Sequence, residues 1–132
     1  MSRATGVQAG RYGRMAVVRL MPNQDLIEGL EAACRDYGIA HGLLRAALGS
    51  LTDASFALGE DDEEEAAFVP GPGLEIVTMT GDIVPDQDGR PRAALSGGVA
   101  DREGRVRGGR FRRGANPICI TAELVIQEWL PG

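Results

Sequence analysis

The sequence contains no lysine, so all 14 basic side chains are arginines, set against 19 aspartates and glutamates. The formal net charge is −5 and the pI is about 4.9. This balance argues against a protein that holds DNA by its overall charge alone. Aromatic residues make up only 5% of the chain, which argues against a stacking platform for single-stranded nucleic acid.

Cysteine and histidine are also scarce. The two cysteines, Cys34 and Cys119, are far apart, and we expect them to pack as small apolar residues rather than to form a disulfide framework. Together with the single histidine, His41, they offer too few ligands for a Cys/His zinc site within one chain. His41 follows the predicted helix in a turn, where a structural role is favoured over a catalytic one.

Long apolar runs are missing as well. None reaches the roughly 18 residues needed to cross a bilayer, and the polar N-terminus lacks the apolar core of a signal peptide. We therefore expect a cytoplasmic protein without a membrane partner. A chain of 132 residues corresponds to one domain. Residues 1–13 are expected to form a flexible arm, and residues 14–130 the domain itself.

Periodicity and turn residues predict one main helix and several strands. The helix is expected at about residues 24–37, between a candidate N-cap, Asn23, and a C-terminal glycine, Gly38. Strands are expected at residues 15–20, 42–48, 52–58, 74–80, 92–99, 105–111 and 118–129. Residues 42–48 are also compatible with a second helix, because their apolar run has no clear period. This order of elements predicts an α+β fold with a largely antiparallel, twisted sheet.

Residues 60–65 read EDDEEE and are followed by AAFVPGPG. Six consecutive carboxylates repel one another, and the proline and glycine pairs disfavour regular structure, so this stretch is predicted to be a solvated loop. A calcium site is not supported, because the acids lack EF-hand spacing and a turning glycine.

Residues 102–113 contain six arginines, and we call this stretch the arginine segment. It begins in a predicted type I turn over residues 101–104, with aspartate first and glycine last, and it forms the second arm of a hairpin. The residues themselves leave three interpretations open: a nucleic-acid contact, a small-anion pocket, or a charged edge of an ordinary sheet.

Five short stretches carry a resemblance to a known family. They are RLMPNQDL (19–26), GSLTDA (49–54), GLEI with TG (73–76 and 80–81), DREGRVRGG (101–109) and TAELV (121–125). In this order and spacing the chain, from about residue 17 to residue 126, resembles the plant- and prokaryote-conserved (PPC) domain. The resemblance implies a homotrimer with pockets between subunits, and an association with DNA, the role usually proposed for this domain.

The resemblance also locates a metal site that this chain has lost. Many prokaryotic members carry three histidines in the pocket, at positions occupied here by Ala94, Ser96 and Arg110. These side chains make a poor ligand set, so we expect neither a metal nor another cofactor. Arg110 is expected to face Ala94 and Ser96 and to offer its guanidinium to a carboxylate or phosphate. The alternative is an internal ion pair of Arg110 with Glu75 or Glu123.

The first functional hypothesis is a non-catalytic, trimeric, regulatory protein that binds DNA weakly and in a salt-dependent way. The arginines assigned to this contact are Arg102, Arg105, Arg107, Arg112 and Arg113. The stretch DGRPR at residues 88–92 contains the Gly-Arg-Pro of an AT-hook, but an aspartate stands where the first arginine belongs. We interpret it as a turn.

The second hypothesis is a small-anion or metabolite pocket at the subunit interface, centred on Arg110 with Ser96 as a donor. An enzyme of this kind would use Glu75 or Glu123 as its general base. No nucleophile elbow, phosphate loop or paired-carboxylate motif supports catalysis, so we assign no catalytic residue. A purely structural role is the third possibility, because the apolar last strand and Trp129 suit a subunit interface.

Overall fold

The computed structural model describes residues 6–58 and 64–132. The elements are β1 (Gly10–Leu20), α1 (Leu26–Tyr37), β2 (Gly42–Ala57), β3 (Glu65–Pro85), β4 (Pro91–Ala100), β5 (Val106–Phe111) and β6 (Ile118–Pro131). These strands form an antiparallel sheet in the order β1-β6-β2-β3-β4-β5. The fold is therefore α+β with an antiparallel sheet, as predicted.

The long strand β2 gives the sheet its shape. Its first half pairs with β6, and most of its length pairs with β3. At its end Phe56 and Ala57 pair with Phe111 and Arg110 of β5, so that β2, β3, β4 and β5 close on themselves. The rings of Phe56 and Phe111 pack inside this closed part, with centroids 4.9 Å apart.

The helix α1 packs against β1 and β4, with Leu26, Leu30 and Cys34 buried in the core. It begins at Leu26, and its N-cap is Asp25 instead of the predicted Asn23. The expected C-terminal glycine is confirmed: Gly38 has φ 75° and donates its N–H to the carbonyls of the last turn. In the described residues no helix has the length and apolarity that crossing a bilayer requires.

The first strand starts earlier than expected, at Gly10 instead of residue 15. Part of the predicted arm, residues 10–13, therefore belongs to β1, while residues 1–5 lie outside the described part of the chain. Arg14 ties this end of β1 to β6, because its Nε lies 3.0 Å from Glu128 Oε1.

The two strands predicted on either side of residues 49–51 are one continuous strand, β2, and the alternative of a second helix at residues 42–48 is wrong. Gly49 makes the continuity possible with φ 146°, where a Cβ would lie 2.3 Å from the Thr121 carbonyl oxygen. The ladder shifts register here, which is the mark of a β-bulge.

The loop predicted across the proline and glycine segment is also wrong for residues 65–73, which belong to β3. Pro70 lies opposite Asp53 of β2, and the Gly71 N–H donates to the Asp53 carboxylate at 3.0 Å. The Gly71–Pro72 peptide bond is cis. Residues 59–63, which include most of the acidic run, lie outside the described residues.

The predicted hairpin is confirmed as β4 and β5, joined by residues 101–105. The Gly104 N–H donates to the Asp101 carbonyl at 3.0 Å, which closes the turn. The last strand is confirmed as β6, whose inward side chains Ile118, Leu124 and Ile126 are fully buried.

Candidate functional site

Arg110, one of the three positions that the resemblance assigns to metal ligands, lies at the end of β5. Arg110 is opposite Ser96 on β4 and Ala57 on β2. Ser96 is exposed and Arg110 half-buried, whereas the neighbouring Leu95 points the other way and is fully buried. Arg110 and Ser96 thus lie on the same, outward face of the sheet. Ala94 is exposed further along β4, where that strand pairs with β3.

The two acids considered as internal partners of Arg110 lie elsewhere on the surface. Glu75 is opposite Ala100, four residues along β4 from the position that faces Arg110, or about 13 Å. Glu123 is opposite Leu48, nine residues along β2 from that position, or about 30 Å. Both carboxylates are exposed. The register therefore does not support an ion pair of Arg110 with either acid, nor a shared site that includes them.

Arg112 binds a buried hydroxyl inside the fold. Its Nη1 donates to the Ser55 hydroxyl at 2.9 Å, and this hydroxyl donates to Glu65 Oε1 at 2.6 Å. Ser55 is 1% exposed. Arg112 consequently joins the end of β5 to β2 and to the start of β3, and only a fifth of its side chain reaches solvent (21%).

Arg113 is tied to the helix. Its Nε lies 3.2 Å from Glu31 Oε1, and its Nη2 donates to the other oxygen of the same carboxylate. That second oxygen also accepts the backbone N–H of Ala93 at 2.8 Å. Glu31 was not identified from the sequence, although a signal was present, because this carboxylate stands in the apolar stripe of α1 between Leu30 and Cys34.

A second carboxylate, Asp25, fixes the loop that follows β5. It accepts the N–H groups of Ile27 at 3.1 Å and Glu28 at 2.9 Å, which caps α1. It also accepts those of Gly114 at 2.9 Å and Asn116 at 3.0 Å. One side chain therefore accepts hydrogen bonds from two N–H groups in the first turn of the helix and from two in the loop between β5 and β6.

Asn116 completes this anchorage and is fully buried. Its Oδ1 accepts the Ser55 N–H at 2.8 Å. Its Nδ2 donates to the carbonyls of Ser55 at 3.0 Å and Arg112 at 2.9 Å. The base of the hairpin is thus attached to β2 by the three hydrogen bonds of this amide, which sequence patterns did not identify.

The other end of the hairpin carries the exposed arginines, Arg102, Arg105 and Arg107. Arg105 braces the turn, with its Nε 3.0 Å from Asp101 and its Nη2 3.4 Å from Glu103. Burial alone would raise the pKa of Asp101, but hydrogen bonds from the Arg105 N–H and guanidinium and from the Glu103 N–H hold it below its usual range.

A cleft of about 430 Å³ opens between this tip and β3, lined by residues of the 69–74 segment and of the 101–107 segment. We call it the hairpin cleft. Arg107 reaches across it, with Nη1 at 3.5 Å from the Phe68 carbonyl oxygen, the outer limit of a hydrogen bond.

Glycines allow the strands under the tip to pack closely. A Cβ on Gly97 would lie 2.1 Å from the Thr78 carbonyl oxygen, and one on Gly108 would lie 2.2 Å from that of Gly97. The glycines of both arms thus permit a close approach of the backbones.

The remaining candidates do not form a reactive cluster. Cys34 and Cys119 are free thiols, as expected. Burial, with a smaller effect of Glu31, raises the pKa of the buried Cys34 to about 11. His41 is half-buried, and its carbonyl accepts the Trp129 N–H at 2.9 Å.

The three positions that the resemblance assigns to metal ligands do not suit a metal ion. They present a methyl group, a hydroxyl and a guanidinium on one face of β4 and β5. In the part of the chain that the structure describes, no group of three His, Cys, Asp or Glu side chains is placed to hold a metal.

Known proteins match both the sequence and the fold. The family model of the Plants and Prokaryotes Conserved (PCC) domain, the PPC domain of the sequence analysis, matches residues 7–130. A protein named bifunctional protein GlmU from Synechococcus sp. strain JA-3-3Ab is 34% identical over 117 residues, which cover 89% of this chain and 17% of that protein. The chain thus spans about a sixth of the length of this relative.

Solved structures share the fold at low sequence identity. A PPC protein from Pyrococcus horikoshii has a TM-score of 0.75 at 22% identity, covering 95% of this chain and 85% of its own. A metal-containing protein from Archaeoglobus fulgidus has a TM-score of 0.77 at 19% identity, covering 96% and 87%. A candidate DNA-binding protein from Bacteroides thetaiotaomicron has a TM-score of 0.72 at 16% identity, covering 90% and 83%.

Proposed function

The chain belongs to the Plants and Prokaryotes Conserved domain family, and we propose that it is a non-catalytic, cytoplasmic homotrimer that associates with DNA in a regulatory role. The observation that carries the proposal is the group of three exposed arginines at the hairpin tip: Arg102, Arg105 and Arg107. The description of a structural neighbour as a candidate DNA-binding protein supports it. Arg112 and Arg113 contribute indirectly, because their side chains anchor the hairpin.

The charge distribution makes this association weak and dependent on salt. The chain as a whole carries −5, so the attraction to phosphate is local to the tip. If three arginines each neutralise one phosphate, the logarithm of the binding constant falls by roughly 3 for each tenfold rise in salt. A homotrimer presents the tip three times, which multiplies weak contacts on one DNA molecule.

An exposed apolar face of the sheet supports the homotrimer. Tyr12, Met15 and Val17 on β1 and Leu48 on β2 are each more than half exposed, at 56, 56, 66 and 68%. Trp129 on β6 packs edge-on against Tyr12, with ring centroids 6.2 Å apart. Contiguous apolar surface with Tyr and Trp is typical of subunit interfaces. We place the contact between subunits on this face, which we call the outer sheet face.

DNA binding is tested by anisotropy of a labelled 20-base-pair duplex in a salt series that starts near 50 mM. The double variant Arg102→Gln/Arg107→Gln is expected to bind at least tenfold more weakly and to lower the salt slope by about 2. The matched control Arg35→Gln/Arg90→Gln removes the same charge from exposed positions away from the tip and should bind like the wild type. Absence of salt-dependent binding by the wild-type protein, or equal losses in both variants, would refute the proposal.

A small-anion site at Arg110 is the second candidate function. It is favoured by the register, which sets a half-buried guanidinium opposite an exposed hydroxyl, that of Ser96. Citrate or inorganic phosphate should raise the melting temperature of the wild-type protein, and Arg110→Gln should remove most of this effect. An unchanged response in Arg110→Gln would exclude this site.

A further inference from the structure

Arg107 occupies an inward position of β5. Alternate residues of a strand share a face, which places Arg107 with Gly109 and Phe111. Phe111 is 1% exposed, and a Cβ on Gly109 would lie 3.1 Å from the Phe56 Cβ, so this face looks into the closed part of the sheet. At Arg107 this face is exposed, so the guanidinium lies at the solvent-accessible end of the face that Phe111 closes.

Internal contacts leave two guanidiniums available to a ligand in the hairpin cleft. Arg105 is held by Asp101 and Glu103, whereas among the described residues Arg107 has only its long contact to the Phe68 carbonyl. For Arg102 the described residues provide no hydrogen bond or ion pair. With three arginines against two acids the cleft keeps an excess positive charge, so it favours an anion.

The opposite wall of the hairpin cleft is apolar. Val69, Pro70, Pro72 and Leu74 of β3 line it. Proline-containing surfaces pack well on aromatic rings, as grooves that recognise proline-rich peptides demonstrate. The volume of about 430 Å³ lies within the range of small-ligand sites, 300–1,000 Å³. A ligand that suits both walls carries a phosphate at one end and a flat ring at the other.

We propose that the hairpin cleft binds a single nucleotide unit, with its phosphate on Arg102 and Arg107 and its base against Pro70 and Pro72. This inference rests on the proposed DNA association and names the part of the nucleic acid that the tip recognises. A base inside a duplex is stacked on its neighbours and cannot lie on the proline wall. The ligand is therefore an unpaired nucleotide, either free or in a single strand.

Calorimetric titration with 5′-dAMP tests the site. The wild-type protein should bind dAMP in a saturable way, and deoxyadenosine or inorganic phosphate at least about tenfold more weakly, because each lacks one half of the recognised group. Equal affinities for dAMP and inorganic phosphate would overturn the proposal. So would a failure of dAMP to bind.

Three variants separate the two walls. Arg102→Gln/Arg107→Gln should weaken dAMP binding more than about tenfold, while the control Arg35→Gln/Arg90→Gln leaves it unchanged. Pro70→Ala should weaken dAMP about threefold and leave inorganic phosphate unaffected, since only the base meets the ring. Glu103→Gln should strengthen dAMP binding about twofold, because it removes a carboxylate from the cleft. A Pro70→Ala effect of equal size on phosphate would contradict the assignment of the base.

Competition identifies the source of the nucleotide. If dAMP displaces a labelled eight-nucleotide single strand, the cleft takes an unpaired strand; if the strand does not bind while dAMP does, the ligand is a free nucleotide. Duplex binding that neither dAMP nor Pro70→Ala alters would sink this inference and leave the proposed DNA association intact. Binding of dAMP without any binding of duplex or single strand would support the nucleotide site and refute the proposed DNA association.

Discussion

Asn116→Ala is expected to destabilise the fold strongly, and the structure gives the size of the effect. The amide is fully buried and makes three hydrogen bonds at 2.8–3.0 Å, two to Ser55 and one to the Arg112 carbonyl. Truncation leaves the buried Ser55 N–H without an acceptor and two carbonyls without this donor. An unmade buried hydrogen bond costs about 1–3 kcal/mol, and accessible carbonyls recover part of the loss. We expect a total loss of stability of about 3–4 kcal/mol, most of it from the buried Ser55 N–H and the rest from the two carbonyls.

Urea denaturation followed by circular dichroism measures this change, at one protein concentration so that assembly does not affect the comparison. A loss of 3 kcal/mol corresponds to a fall in melting temperature of roughly 10 °C for a chain of this size. The control is Gln87→Ala, which removes an exposed amide from the β3–β4 turn and should change stability by less than about 0.5 kcal/mol. A loss below about 1 kcal/mol for Asn116→Ala would show that this amide does not anchor the hairpin.

Two further predictions concern assembly and pH. Val17→Asp/Leu48→Asp should convert the proposed trimer into monomers in light scattering, because it sets charges on the outer sheet face. Val106→Asp, at an exposed apolar position on the hairpin, should not change the mass, and a trimeric mass of the double variant would exclude this face. Hydrogen bonds from the Arg14 side chain and N–H lower the pKa of Glu128. The stability from this pair is therefore fully present above the ordinary value of 4.5 and is lost as the pH falls through the lower folded pKa. The stability difference between wild type and Arg14→Gln should be constant near neutrality and shrink in acid; a difference that grows in acid would contradict the assignment.

The sequence predicted the elements better than their ends. Asn23 and Asp25 are both good N-cap residues two positions apart, and composition does not distinguish them. The fold does, because Asp25 also accepts two N–H groups from the loop after β5, more than 85 residues away. Asn23 adopts φ 72°, a backbone conformation outside the helix. Only a long-range contact therefore decides where α1 begins.

The proline and glycine segment shows a second limit. Residues 70–73 contain two prolines and two glycines, which is a strong signal for a loop. In the fold β3 continues through them because β2 pairs with one of its edges, while the other edge opens onto the hairpin cleft. Proline is compatible with a strand where its missing N–H faces no partner. The sequence alone does not reveal which edge of a strand stays open.

The arginine segment could be located from the sequence but not divided into its two roles. Its arginines are alike in composition, yet Arg112 and Arg113 meet partners on β2 and α1, whereas Arg102 and Arg107 meet none of comparable strength among the described residues. Charge patterning counts all six as available surface charge. The structure reduces that number, because Arg112 and Arg113 form ion pairs with Glu65 and Glu31. Charge patterning misses these pairs, since both acids are distant in sequence from the arginines.

This division has a consequence for binding. The base of the hairpin is held by the carboxylates of Glu31 and Asp25 and by the amide of Asn116, and the tip is braced by the Asp101–Arg105 pair. A hairpin fixed at both ends keeps its backbone in place when a ligand arrives, so binding orders only side chains. Three arginines on a flexible tail would lose more conformational freedom for the same phosphate contacts. The buried anchors therefore help a chain with a net negative charge to recognise an anion with few arginines.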